Sequence, residues 1–218
     1  MRTTKILMLP ALIGLLAGCA TSTETNADIS KLAELKSSFP EGYTVEVVPI
    51  TGIDPERLRQ EQKLPEGVTF DPAECSKLAG GQELPEDLRG NMTAVQAVGE
   101  GNRFIVIAME TSEPLPLAEP GEECQKVSFA GSTMRGTIEV VPAPEIKEAT
   151  TSGVHRVMQA NVGGKEQTGH LYSYVAQFGN YRVMVTADPV VEADKPTVPV
   201  NTELAEKLLT DGVADIRG

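Results

Sequence analysis

Tryptophan is missing from this chain, and five phenylalanines and four tyrosines are all the aromatic residues it has. A carrier that encloses a lipid in a large apolar cavity needs more aromatic lining than that. Histidine is as scarce: His155 and His170 are the only two. A metal or acid–base site built on imidazole therefore depends on whether the fold brings those two together. There is no HExxH, no GxSxG elbow, no Walker loop and no GxGxxG, and "GEGNRF" lacks the last glycine and opens a strand rather than a helix. Basic residues are in deficit, 19 against 31 acidic, for a net charge of −12. Such a surface repels phosphate, which excludes nucleic acid as a partner and leaves electrostatics unable to hold the chain against anionic lipid. Long apolar runs are lacking too: the run from Ile6 to Leu16 falls well short of the roughly 20 residues of a membrane-spanning helix.

What that run does form, behind Arg2 and Lys5, is a secretory leader. It ends in Leu16, Ala17, Gly18 and Cys19, the pattern of a bacterial lipobox: one aliphatic residue, two small ones and cysteine. The likeness implies cleavage before Cys19, a diacylglycerol thioether on its sulfur and anchorage to the membrane by acyl chains, each buried CH₂ contributing about 0.8 kcal/mol. The expected organisation is a leader over residues 1–18, a lipidated flexible tether over 19–28 and one domain over 29–218, on the extracytoplasmic face of the cell membrane. Losing Arg2 and Lys5 with the leader makes the mature chain more acidic still.

With Cys19 assigned to lipid, Cys75 and Cys124 remain in an exported chain, and a disulfide is the natural pairing. A redox or metal-binding thiol pair would want CxxC spacing and nearby ligands, which are absent. In the chain-entropy account, closing that loop contributes roughly 4 kcal/mol.

Along the chain, Asp28 caps a helix that Pro40 stops, and a strand runs from Tyr43 to Val48 and ends at Pro49. A helical turn follows at Pro55 to Arg59, and "DPAECSKLAG" places Cys75 on a short helix. "MTAVQAV" and "RFIVIAME" flank a turn as a hairpin. The second of these is apolar without alternation, so it reads as a central strand covered on both faces. "CQKVSFAG" fits strand or helix, and "TMRGTIEVV" is a strand. Three more strands follow with turns at Gly163-Gly164 and Gly179-Asn180, then a closing helix carrying Leu204, Leu208 and Leu209. The expected fold is α+β: a twisted antiparallel sheet of about six strands with helices packed on one face.

A two-residue turn at Gly179-Asn180 puts Tyr172, Tyr174, Ala176 and Phe178 on one face with Val183 and Val185. Tyr172, Tyr174 and Phe178 are thus the candidate ligand-groove residues, with core packing as the alternative. Joining Val154, Met158 and Ala160 to that face requires even residues to oppose even ones, which separates His155 from His170; a slip of one residue would unite them. Ser132 and Ser152 read as turn residues. The acidic loop at Glu110, Glu113, Glu119, Glu122 and Glu123 lacks the spacing of a calcium loop and reads as a solvated face. No catalytic residue, metal or cofactor is expected.

The stretches "SFPEGYTVEVVP", "FDPAECSKLA", "EECQKVSFAGSTMRGTIEVVPAPEI" and "FGNYRVMVTADP" resemble an uncharacterised family of mycobacterial and related actinobacterial envelope lipoproteins. Their layout is similar to the extracellular sensor domain of a mycobacterial receptor serine/threonine kinase. The resemblance implies a twisted antiparallel sheet with flanking helices, a bridge between Cys75 and Cys124 and a cleft for a ligand. It transfers no catalytic residue, and the second disulfide of the kinase domain has no counterpart here. The expected function is a non-enzymatic ligand-binding or sensor-like module of the envelope. The alternatives are a lipid or glycolipid carrier, a structural accessory of an envelope protein, and a hydrolase with a nonstandard site.

Overall fold

Nine segments pair into one sheet, and several of them alternate apolar residues with polar ones. The structure, a computed structural model, describes residues 27–62, 67–79, 85, 87–117, 119–191 and 197–218. The leader, Cys19 and nearly all of the tether lie outside the described residues. The strands are β1 (Thr44–Gly52), β2 (Thr69–Asp71), β3 (Gly90–Gly99), β4 (Asn102–Thr111), β5 (Lys126–Ala130), β6 (Met134–Val141), β7 (Thr150–Val162), β8 (Lys165–Phe178) and β9 (Tyr181–Pro189). Their order is β1-β3-β4-β9-β8-β7-β6-β5-β2, and every neighbouring pair is antiparallel.

This corrects the expected α+β domain of about six strands with helices on one face: a single nine-stranded sheet dominates, and the helical segments are few and mostly short. The reason is local. β2 is three residues long, too short to show alternation, and β5 was equally compatible with a helix. β1 also runs on through Pro49 to Gly52, with its register shifting between Val48 and Thr51. Proline is tolerated there because β1 is an edge strand and a bulge spares the missing N–H.

The turns follow the glycine rules. Glu100 and Gly101 (φ 49° and 74°) close β3 on β4, and Gly163 and Gly164 (φ 62° and 82°) close β7 on β8. The helical segments are an N-terminal 3-10 helix (Ile29–Ser38), α1 (Pro55–Gln62), α2 (Ser76–Ala79) and α3 (Thr202–Arg217), with single 3-10 turns before Cys75 and Cys124. Asp28 starts the first by accepting a hydrogen bond from the Ser30 N–H at 2.9 Å, and Asn201 starts α3 by accepting from the Leu204 N–H at 3.0 Å.

Burial divides the sheet. On the face called here the front, Ile29, Leu32 and Leu35 of the 3-10 helix and Leu204, Leu208 and Leu209 of α3 close over Val95, Phe104, Val106, Val183 and Val185. Gly212 of α3 is buried against Leu32 and Val183, at a distance where a methyl group would make ordinary contact with both. In the other half, a second core of Cys75, Cys124, Val127, Phe129 and Ile138 lies on the back. The Cys75–Cys124 disulfide, with Cα atoms 5.5 Å apart, is present as expected and ties the segment containing α2 over β5 and β6. Among the described residues, both cores draw their buried residues from between Ile29 and Ile216.

Candidate functional site

Because the two halves are covered on opposite faces, the front of β5, β6, β7 and part of β8 is left open. Register assigns its residues. Tyr174, in the front core, lies opposite Gly153, so His155 and Val157 face front with Tyr172 and His170, and Glu139 of β6 stands opposite His155. The two histidines are therefore neighbours, against the sequence expectation. A two-residue turn pairs Val162 with Lys165, which makes odd positions of β7 oppose even positions of β8; turn geometry fixes the register, and Val154, Met158 and Ala160 go to the back.

The His155 ring stacks on Tyr172 with centroids 4.0 Å apart and planes 7° from parallel. His155 Nε2 lies 3.1 Å from His170 Nδ1, with ring centroids 5.4 Å apart, so the imidazoles meet edge to edge through their nitrogens. Such a bond needs one N–H and one lone pair: it forms in the neutral pair or with a single added proton, and a second proton breaks it. Burial, reinforced by charge on His170, holds His155 below its ordinary value, while Glu139 acts in the opposite sense. The shelf thus presents an aromatic surface and a polar edge formed by the facing imidazole nitrogens.

Beside it a hollow of about 350 Å³ is lined by Ser128, Arg135, Thr137, Val157 and Gln159. Arg135 donates to Gln159 Oε1 at 2.8 Å and to Glu166 Oε1 at 2.6 Å, which fixes a planar polar rim. A second hollow of about 380 Å³ continues past Ser132, Asn161 and Glu166 at the ends of the strands. These groups can bind a polar, partly planar ligand by stacking and hydrogen bonding.

Of the three groove candidates, Tyr172 borders this shelf. Tyr174 and Phe178 share its face, with Val185 and Val183 disposed as expected, but they are only 2% and 5% exposed and belong to the front core. Burial, with Glu206 alongside, raises the Tyr174 hydroxyl far above its usual range, and the Arg217 guanidinium lies 4.2 Å over the Phe178 ring. His155, His170, Arg135 and Gln159 were missed as site residues. The signal that would have found the histidines was the Gly163-Gly164 turn.

The chain belongs to the family described as Domain of unknown function (DUF5642), whose model matches residues 28–217. It is similar to the X-ray structure of an uncharacterized protein (Rv0999 ortholog) from Mycobacterium smegmatis, with 53% sequence identity and a TM-score of 0.81, covering 88% of this chain and 98% of that one. The extracellular domain of PknH from Mycobacterium tuberculosis also matches, at 9% identity and a TM-score of 0.35, over 87% of this chain and 93% of that one. No curated protein matches. The expected kinship with uncharacterised mycobacterial proteins is thereby borne out.

Proposed function

We propose that this DUF5642 chain is a non-enzymatic ligand-binding or sensor-like module of the cell envelope, anchored through lipid on Cys19 at the extracytoplasmic face. Its recognition surface is the shelf of His155, His170 and Tyr172. The observation that carries this reading is the shelf itself: mutually braced aromatic and imidazole rings, half-buried at His155 and Tyr172 and exposed at His170, beside a hollow rimmed by Arg135 and Gln159. The disulfide supports an oxidising compartment. Among the described residues no helix is long and apolar enough to cross a membrane, so attachment rests on the lipobox. The ligand class that suits the shelf is an envelope glycolipid head, a peptide or a segment of an envelope protein, with no nucleic acid and no cofactor.

The test is native mass spectrometry of residues 27–218 purified oxidised from an actinobacterial host. The expected result is a co-purifying mass that the His155→Ala/His170→Ala double variant loses while remaining folded and bridged. Retention of the same mass by that variant would displace the shelf as the site. Turnover of envelope esters, abolished by changing one polar residue of the hollow, would overturn the non-enzymatic reading.

A further inference from the structure

All the imidazole in this chain meets at one point, since His155 and His170 are its only histidines. His155 Nε2 and His170 Nδ1 are 3.1 Å apart, and the ring centroids 5.4 Å apart. The second distance exceeds the first by the two ring radii and no more, so both nitrogens lie on the line joining the ring centres. With the planes 14° from parallel, each nitrogen aims its in-plane position, lone pair or hydrogen, at the other. Stacking on Tyr172 fixes the plane of half-buried His155, while His170 is exposed and accessible from solvent.

The number and direction of these donors decide which ion they suit. Zinc in protein sites takes about four donors at tetrahedral angles, and calcium and magnesium take about six or more oxygens. Among the described residues no group of three His, Cys, Asp or Glu side chains could hold a metal ion. Glu139 and Glu166, carboxylates of the same face, are engaged by Lys126 at 3.8 Å and by Arg135 at 2.6 Å. Copper(I) and silver(I), closed-shell monovalent ions, need only two nitrogens placed in line, and imidazole is a good copper ligand. Bonds of about 2 Å on either side would part the nitrogens to about 4 Å, a small shift that the exposed His170 ring can supply by withdrawing. The net charge of −12 also favours a cation at this surface.

We propose that His155 and His170 bind a monovalent copper ion in a linear site, with Nε2 of the first and Nδ1 of the second each donating one lone pair. In the neutral pair, the hydrogen lying between the rings moves to the outward nitrogen of the ring that carries it, so no net proton is lost. The proposal goes beyond the organic ligand read for the shelf, while sharing its two histidines.

The experiment uses the full chain, extracted oxidised in mild detergent from an actinobacterial host and isotopically labelled at the histidine ring nitrogens alone. Every labelled resonance then belongs to this pair. Silver(I) nitrate in chloride-free buffer is the redox-inert probe, and zinc sulfate the comparison. His155 Nε2 and His170 Nδ1 are expected to shift together and to saturate at the same silver concentration, with zinc bound about tenfold or more weakly. His155→Gln, checked for fold by circular dichroism, should weaken the silver response of His170 about tenfold or more, because the second donor is no longer supplied within the same molecule. Met158→Leu, which removes an exposed soft donor from the back of β7, should leave the response unchanged. Independent titration of the two rings, zinc binding as strong as silver binding, or a full His170 response in folded His155→Gln would each overturn the proposal. A silver response in a chain that carries no co-purifying organic mass would sink the shelf reading and keep this one, and the mass without a silver response would do the reverse.

Discussion

From β1 to β8 the sheet buries its front under the N-terminal 3-10 helix and α3; from β7 to β2 it buries its back under the disulfide-tied segment around α2. The first half is held by long apolar side chains from two helical segments. The second has, among the described residues, a core of five buried residues, two of them the bridged cysteines. A small core stabilises little by area alone, so a covalent constraint has more to contribute there. The front of the second half is polar with stacked rings, whereas the back of the first half carries the half-buried apolar row Ala94, Ile107, Met184 and Val175. Strand pairing is continuous across both halves, so the division lies in the packing.

Replacing both Cys75 and Cys124 with serine tests this division most severely. The loss should be about 4 kcal/mol in chemical denaturation, with hydrogen exchange accelerating first in β2 and β5 while β4 and β9 stay protected. Uniform acceleration across the sheet would mean that the halves do not respond separately. In the front core, Leu208→Ala should cost about 3 kcal/mol, and its loss of protection should centre on β4, β9 and the 3-10 helix. Asn201→Ala removes only the cap of α3 and should cost about 1 kcal/mol, visible as fraying near Leu204 with β5 and β6 unaffected.

The smallest expected effect is that of pH on the shelf. His155 is held below the ordinary imidazole value of 6.5. Its contribution to stability is therefore complete above that value and declines as pH falls from 6.5 toward its folded pKa, because the unfolded chain takes the proton first. His155→Gln should flatten that part of the stability profile in denaturant titrations across mildly acidic pH. An unchanged slope would mean that the imidazole is not shielded as the geometry indicates.

Much of the fold was legible locally. Asp28 caps where its side-chain oxygen reaches a free N–H group, the glycine turns fall where positive φ is required, and a single pairing was available to Cys75 and Cys124 once Cys19 was assigned to lipid. The candidate site was legible only in part. Tyr172 was placed on the correct face, whereas the histidines were separated by letting apolar Val154, Met158 and Ala160 outvote the turn. The general rule that apolar residues face the core failed because β7 has its core on the back, under Phe129 and Ile138, while its neighbour β8 has its core on the front.

The sequence by itself determined the segments that are short-range in origin: caps, two-residue turns, the disulfide, the closing helix and the central strand β4, apolar on both sides. The tertiary structure alone decided which face each half buries, that β5 is a strand paired on both sides, and that His155 meets His170. Those outcomes depend on which residues lie opposite one another across the sheet, and strand pairing sets that between positions far apart in the chain.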